Sequence, residues 1–136
     1  MKPNGAEFEY KKERNEDLLR VYRELTHSTR YIRTPELYQE LVRQPSKRFW
    51  VSEERAAVVL SSIFKGNMLH SMSKNKRKMF LEIFQRAKLL REQQPCLSIY
   101  EIAIKVVGQQ APEFYLTPES ARVIICKSRK NASGRQ

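Results

Sequence analysis

Glycine is scarce in this chain, four in 136 residues, and cysteine scarcer still, at two. With so little glycine there is no phosphate-cradling loop, and no Gly-x-Ser-x-Gly turn, His-Glu-x-x-His pair or paired-cysteine spacing occurs. Cys96 and Cys126 stand thirty positions apart with no histidine nearby, which indicates neither a disulfide framework nor a metal site, so two reduced thiols are expected. His27 and His70 are isolated, and Glu82, Glu92 and Glu101 form no acid/base arrangement. The sequence therefore predicts no catalytic residue, no cofactor and no metal. Long apolar runs are missing too: stretches such as Val123-Ile124-Ile125-Cys126 fall far short of the 18 or more residues a membrane helix needs, and the polar N-terminus has no signal-peptide core. A cytoplasmic protein without membrane contact is expected, with enough Leu, Ile, Val and Phe among its 40% apolar residues for a core.

Acidic residues are the other deficit. Twenty-six Lys and Arg face 15 Asp and Glu, a net charge of +11. Such an excess favours polyanions through long-range attraction and counterion release. It is uneven: Met1–Gly66 carries 13 basic and 10 acidic residues, Asn67–Gln136 13 and 5. If a phosphate backbone is the partner, the second half should carry more of the contact.

The chain repeats itself. A shift of 65 aligns Thr34–Lys65 with Ile99–Lys130 without a gap and pairs Glu36 with Glu101, Val42 with Val107, Gln44 with Gln109, Phe49 with Phe114, Glu54 with Glu119, Ala56 with Ala121, Val58 with Val123 and Lys65 with Lys130. Upstream, Leu18–Leu25 matches Phe80–Ala87 at a shift of 62, which places an insertion of three residues near Glu92–Pro95.

Period and punctuation give each segment its form. Leu18, Val21, Tyr22 and Leu25 recur at helical spacing, as do Phe80, Ile83, Phe84 and Ala87. The second segments open on Thr34-Pro35-Glu36, with Thr34 as N-cap, and on Ser98-Ile99-Tyr100-Glu101, a capping box; the third follow the capping residues Ser52 and Thr117. Phe49-Trp50 and Phe114-Tyr115 precede those caps, where a buried ring can staple the helix start to the core. The prediction is an all-α chain made by tandem duplication of a three-helix unit. Residues 1–14 would be a flexible terminus of mixed charge, 15–66 the first unit, 67–130 the second and 131–136 a disordered tail, the two units standing separately or packed as one domain.

Three short helices, the second and third joined by a turn, in a basic chain, resemble the helix-turn-helix or homeodomain-like class. That resemblance implies a last helix entering the DNA major groove. About eight residues join the helices here instead of three or four, so a tight turn is not matched. The segment Ala111-Pro112-Glu113-Phe114-Tyr115-Leu116-Thr117-Pro118-Glu119-Ser120-Ala121 is also similar to a pattern in small basic bacterial proteins of unassigned function, and it implies no activity.

On the third helices, inward Ala56, Val59, Leu60 and Ile63 leave Arg55, Val58, Ser62 and Lys65 outside; inward Ala121, Ile124 and Ile125 leave Ser120, Val123, Lys127 and Lys130 outside, with Arg122 as a further cation. Arg, Lys and Ser suit phosphates and base edges, and Val suits a thymine methyl. For Val58 and Val123, burial against the first helix or the sister unit is favoured over base contact. Glu54 and Glu119 lie on the same side and count against deep groove insertion. The best candidate for backbone contact is Lys74, Lys76, Arg77 and Lys78, because cations at a helix N-terminus oppose the macrodipole and need compensation. The tail Lys127–Gln136 is a basic arm that could follow a groove.

Two functions stay in contention. One is nucleic-acid binding, with double-stranded DNA favoured over RNA, by a regulator or an accessory of a mobile element. The other is a helical interaction module that binds an acidic protein or a second copy of itself. Salt separates them, since phosphate binding weakens steeply with ionic strength.

Overall fold

The computed structural model describes residues 5–28 and 33–133, and side chains for 10–28 and 33–130. Six helices follow in order: α1 Gly5–Ser28, α2 Thr34–Val42, α3 Glu53–Phe64, α4 Lys74–Gln93, α5 Ile99–Val107 and α6 Pro118–Ser133. The chain is all-α, with a single bridge between Ser46 and Ala111 as the one β-type pairing among the described residues.

The capping chemistry explains most helix starts. Ser52 accepts from the Arg55 N–H, and Thr117 from the Ser120 N–H. Ser98 accepts from the Glu101 N–H and hydrogen-bonds the Glu101 carboxylate through its own hydroxyl, so the expected capping box is only half reciprocal. Thr34 is not a cap. Arg33 occupies that position in extended backbone with no side-chain bond, and Thr34 and Pro35 form the first turn, where a missing proline N–H costs nothing. The N-terminal reading also changes: α1 begins at Gly5, so residues 5–14, expected to be flexible, are helical. At the other end α6 runs through Ser133, three residues into the expected tail, and Gly134–Gln136 lie outside the described residues.

The chain forms two compact units, and they are not the contiguous halves the repeat suggests. The first joins Met1–Ser46 to Ala111–Gln136; the second is Lys47–Gln110. In the first unit α6 packs on α1 and α2, and in the second α3 packs on α4 and α5. The physical reason lies in the connection between second and third helices. A tight turn would fold α3 back on α2, but the connection is extended and its main chain is tied elsewhere: the Phe49 N–H donates to the Val107 carbonyl at 3.0 Å, and the Phe114 N–H to the Val42 carbonyl at 3.1 Å. The first unit thus holds α1, α2 and α6, and the second α3, α4 and α5.

In the first unit Leu18, Val21, Tyr38, Leu41, Val42, Phe114, Ala121 and Ile125 are buried. Ser46 and Ala111, paired by the 65-residue shift, exchange two main-chain bonds of 3.1 and 3.0 Å. The Tyr22 ring stacks on Tyr38 at 6.1 Å between centroids, and Arg129 lies over Tyr22. In the second unit Phe49, Leu60, Ile83, Ile102, Val106 and Val107 are fully or almost fully buried, and Phe64 meets Phe84 edge-on at 5.0 Å. Phe49 and Phe114 are core rings, as expected.

Candidate nucleic-acid interface

The second unit concentrates the charge. Lys47–Gln110 holds twelve Lys and Arg against five Asp and Glu, so +7 of the net +11 falls in this one unit. Several of these cations are committed internally. The Arg48 guanidinium donates to the Phe49 and Val51 carbonyls, and Arg91 lies over the Phe64 ring at 4.7 Å. Arg86 lies over Phe49 at 4.9 Å while bonding Glu82 and the Gln110 carbonyl. These are packing groups, worth about 0.5–2 kcal/mol each where a ring is covered.

The loop before α4 sets the position of the Lys74–Lys78 cluster. Gly66 adopts φ +105° directly after α3, a conformation that suits only glycine well. The Asn67 side chain donates to the Ser62 hydroxyl and accepts from the Leu69 N–H, both at 2.8 Å, and buried Leu69 anchors the loop with φ +58°. Arg77 then donates from Nε to the Met68 carbonyl at 3.0 Å. Ser62 is half-buried, and its hydroxyl accepts from the Asn67 side chain at the C-terminal end of α3.

Helical geometry divides the cluster. Phe80, Ile83 and Ala87 mark the buried side of α4. Lys76 falls on the same line as Phe80 and Ile83 and is exposed because it lies a turn earlier. Lys74 and Lys78 lie on the opposite, solvent side. Lys88, which the sequence reading did not single out, is exposed on the flank of that side; its position fourteen after Lys74, close to four whole turns, was the available signal. Together the three span about 21 Å of helix at 1.5 Å per residue. All three are exposed, and Lys74 and Lys88 have no partner among the described residues. No acidic residue stands in the first turn of α4, so the macrodipole and the lysines there repel each other uncompensated.

The remaining predicted contacts are distributed. Arg55 and Lys65 are exposed on α3, in the second unit with the α4 cluster; Arg122, Lys127 and Lys130 are exposed on α6, in the first unit. Burial of the paired valines is overturned: Val58 is 62% and Val123 52% exposed, because α3 and α6 dock through Ala56 and Leu60, and Ala121 and Ile125, on their opposite sides. Each third helix presents the same outer line, Glu54, Val58, Lys65 and Glu119, Val123, Lys130.

Other surface features carry less chemistry. Glu16, Arg20, Arg23, Glu24, His27 and Ser28 of α1 line an open depression, where Arg20 is paired to buried Asp17 at 2.8 Å and to Glu24 at 2.9 Å. The Asp17 bond raises the Arg20 pKa above its ordinary value, and burial lowers that of Arg14. Burial raises the Tyr38 pKa, the nearby Tyr22 and Cys126 act in the same direction, and Arg129 opposes them. Among the described residues no three His, Cys, Asp or Glu side chains gather as metal ligands, and no helix is long and apolar enough to cross a membrane. No family model, curated protein or solved structure matches the chain.

Proposed function

We propose that this protein binds nucleic acid, double-stranded DNA in preference to RNA, and that Lys74, Lys78 and Lys88 on the solvent side of α4 are its principal phosphate contacts. The observation that carries this reading is a row of exposed lysines on the most cationic unit, opening on a helix end that repels them. Phosphates compensate such a row, and each neutralised phosphate releases counterions. Arg55 and Lys65 in the same unit, and Arg122, Lys127 and Lys130 on α6, add further cations. Phosphate contact of this kind needs no helix-turn-helix. A role as regulator or mobile-element accessory agrees with backbone-led DNA binding.

The test is duplex binding by fluorescence anisotropy across a salt series, with single-stranded DNA and RNA as parallel arms. Replacing Lys74, Lys78 and Lys88 together by Gln should flatten the slope of log K against log salt by about 2.7, at about 0.9 per phosphate contact. Lys105→Gln, on α5, is the single-charge control. A triple variant with the parent's slope overturns the assignment. A second reading, a module for an acidic protein, is favoured by exposed Val58 and Val123; it calls for binding that is nearly indifferent to salt.

The chain also reads as a duplicated three-helix unit. In support, α2 and α5 are both nine residues long and start 65 apart, and α3 and α6 start 65 apart as well.

A further inference from the structure

We infer that α6 is an exchangeable element and that the partner it fits is a second copy of this chain, whose α1 and α2 it can close in place of its own. The ground is the make-up of the first unit. Its two segments, Met1–Ser46 and Ala111–Gln136, are joined only through the whole of Lys47–Gln110, which is itself one unbroken compact unit. Nothing covalent within the first unit ties α6 to α1 and α2.

The contacts that hold α6 there are independent of which chain supplies it. Ala121 and Ile125 are buried on α6, and Leu18, Leu41 and Val42 are buried on the α1 and α2 against which it packs. The Phe114 N–H bonds the Val42 carbonyl, and Ala111 exchanges two bonds with Ser46. All of these are remade unchanged if Ala111–Gln136 comes from another copy, which is the condition under which segment exchange has little thermodynamic cost. The second unit shows the same design, with the Phe49 N–H on the Val107 carbonyl and Ala56 and Leu60 buried at the positions equivalent to Ala121 and Ile125. In both units a third helix is received from outside its own repeat. This is how two copies of a single-repeat chain would complete each other, and the reciprocal Ser46–Ala111 pair joins a residue to its own equivalent, as an isologous dimer contact does.

Discontinuity singles out α6 over α3: α6 belongs to the unit whose two segments are joined only through Lys47–Gln110, whereas α3 lies inside a sequence-continuous unit.

Two full-length variants test the exchange by complementation. Leu41→Asp spoils the receiving helices and leaves α6 intact; Ile125→Asp spoils α6 and leaves α1 and α2 intact. Neither closes its first unit alone. Mixed, the α6 of the Leu41→Asp chain should close the first unit of the Ile125→Asp chain, giving a 1:1 complex at twice the 16.1 kDa chain mass by native mass spectrometry. Unmixed monomers overturn the inference. If either variant precipitates, the wild-type chain decides: isotopically light and heavy copies are unfolded together and refolded at high concentration. Mixed-mass dimers that persist on dilution are the expected result, and monomers alone refute it.

Discussion

Phe49→Ala removes the largest fully buried side chain among the described residues. The ring lies in the second unit under the Arg86 guanidinium at 4.9 Å, three residues before the Ser52 cap, where its own N–H is held by Val107. Truncating a buried phenylalanine costs about 3–5 kcal/mol when the surroundings cannot collapse. Collapse is obstructed here, because Arg86 is also fixed by Glu82 and the Gln110 carbonyl and cannot swing into the space. A 64-residue unit has a total stability of only about 3–10 kcal/mol, so one ring accounts for a large share of it. With a urea m-value near 1 kcal/mol/M for so small a unit, the midpoint should fall by about 3 M or more, or the unit should be unfolded outright. Trp50, the single tryptophan, adjoins the site and its indole nitrogen is buried, so fluorescence reports this unit directly. An unchanged fluorescence midpoint would refute the placement of Phe49 in the core.

The cap reassignment has an equally direct test: Ser98→Ala should cost about 1 kcal/mol by loss of its N-cap bond, and Thr34→Ala almost nothing, since Thr34 caps no helix. Equal costs would restore Thr34 as a cap. Alkaline pH should act through Tyr38. Its folded pKa lies above the ordinary value near 10, so its contribution is complete below pH ~10 and is lost as pH climbs through the raised value. The urea midpoint of the wild type should therefore fall above pH ~10 by more than that of Tyr38→Phe, and identical pH profiles would show that Tyr38 titrates as if unfolded.

Helix identity was legible because it is local. Ser52, Ser98 and Thr117 are caps whose partner lies three residues on, and Leu18, Val21, Phe80 and Ile83 give their buried side by spacing alone. Which helix packs on which was not legible. Ala56 and Ala121, or Leu60 and Ile125, are so alike that either third helix suits either receiving pair, and the choice is made by the Phe49 and Phe114 main-chain bonds, which no side chain announces. The candidate interface was read in part. Lys74 and Lys78 stood in a visible cluster, but Lys88, fourteen residues from Lys74, joins them only through the helix, and the bond of Ser62 to Asn67 spans a loop that no periodicity describes. The exposed valines were misjudged because α3 and α6 dock through their opposite sides, by Ala56 and Leu60 and by Ala121 and Ile125.

The discontinuity of the first unit also dictates an order of events during synthesis. Between the emergence of Ser46 from the ribosome and that of Ala111, 65 further residues must be added, about 3–13 s at ordinary elongation rates. Through that interval the nascent chain carries Leu18, Val21 and Leu41 with no lid, while the sequence-continuous second unit can already mature. Newborn chains on one messenger would then be held near one another at their stickiest, the circumstance in which a chaperone matters most.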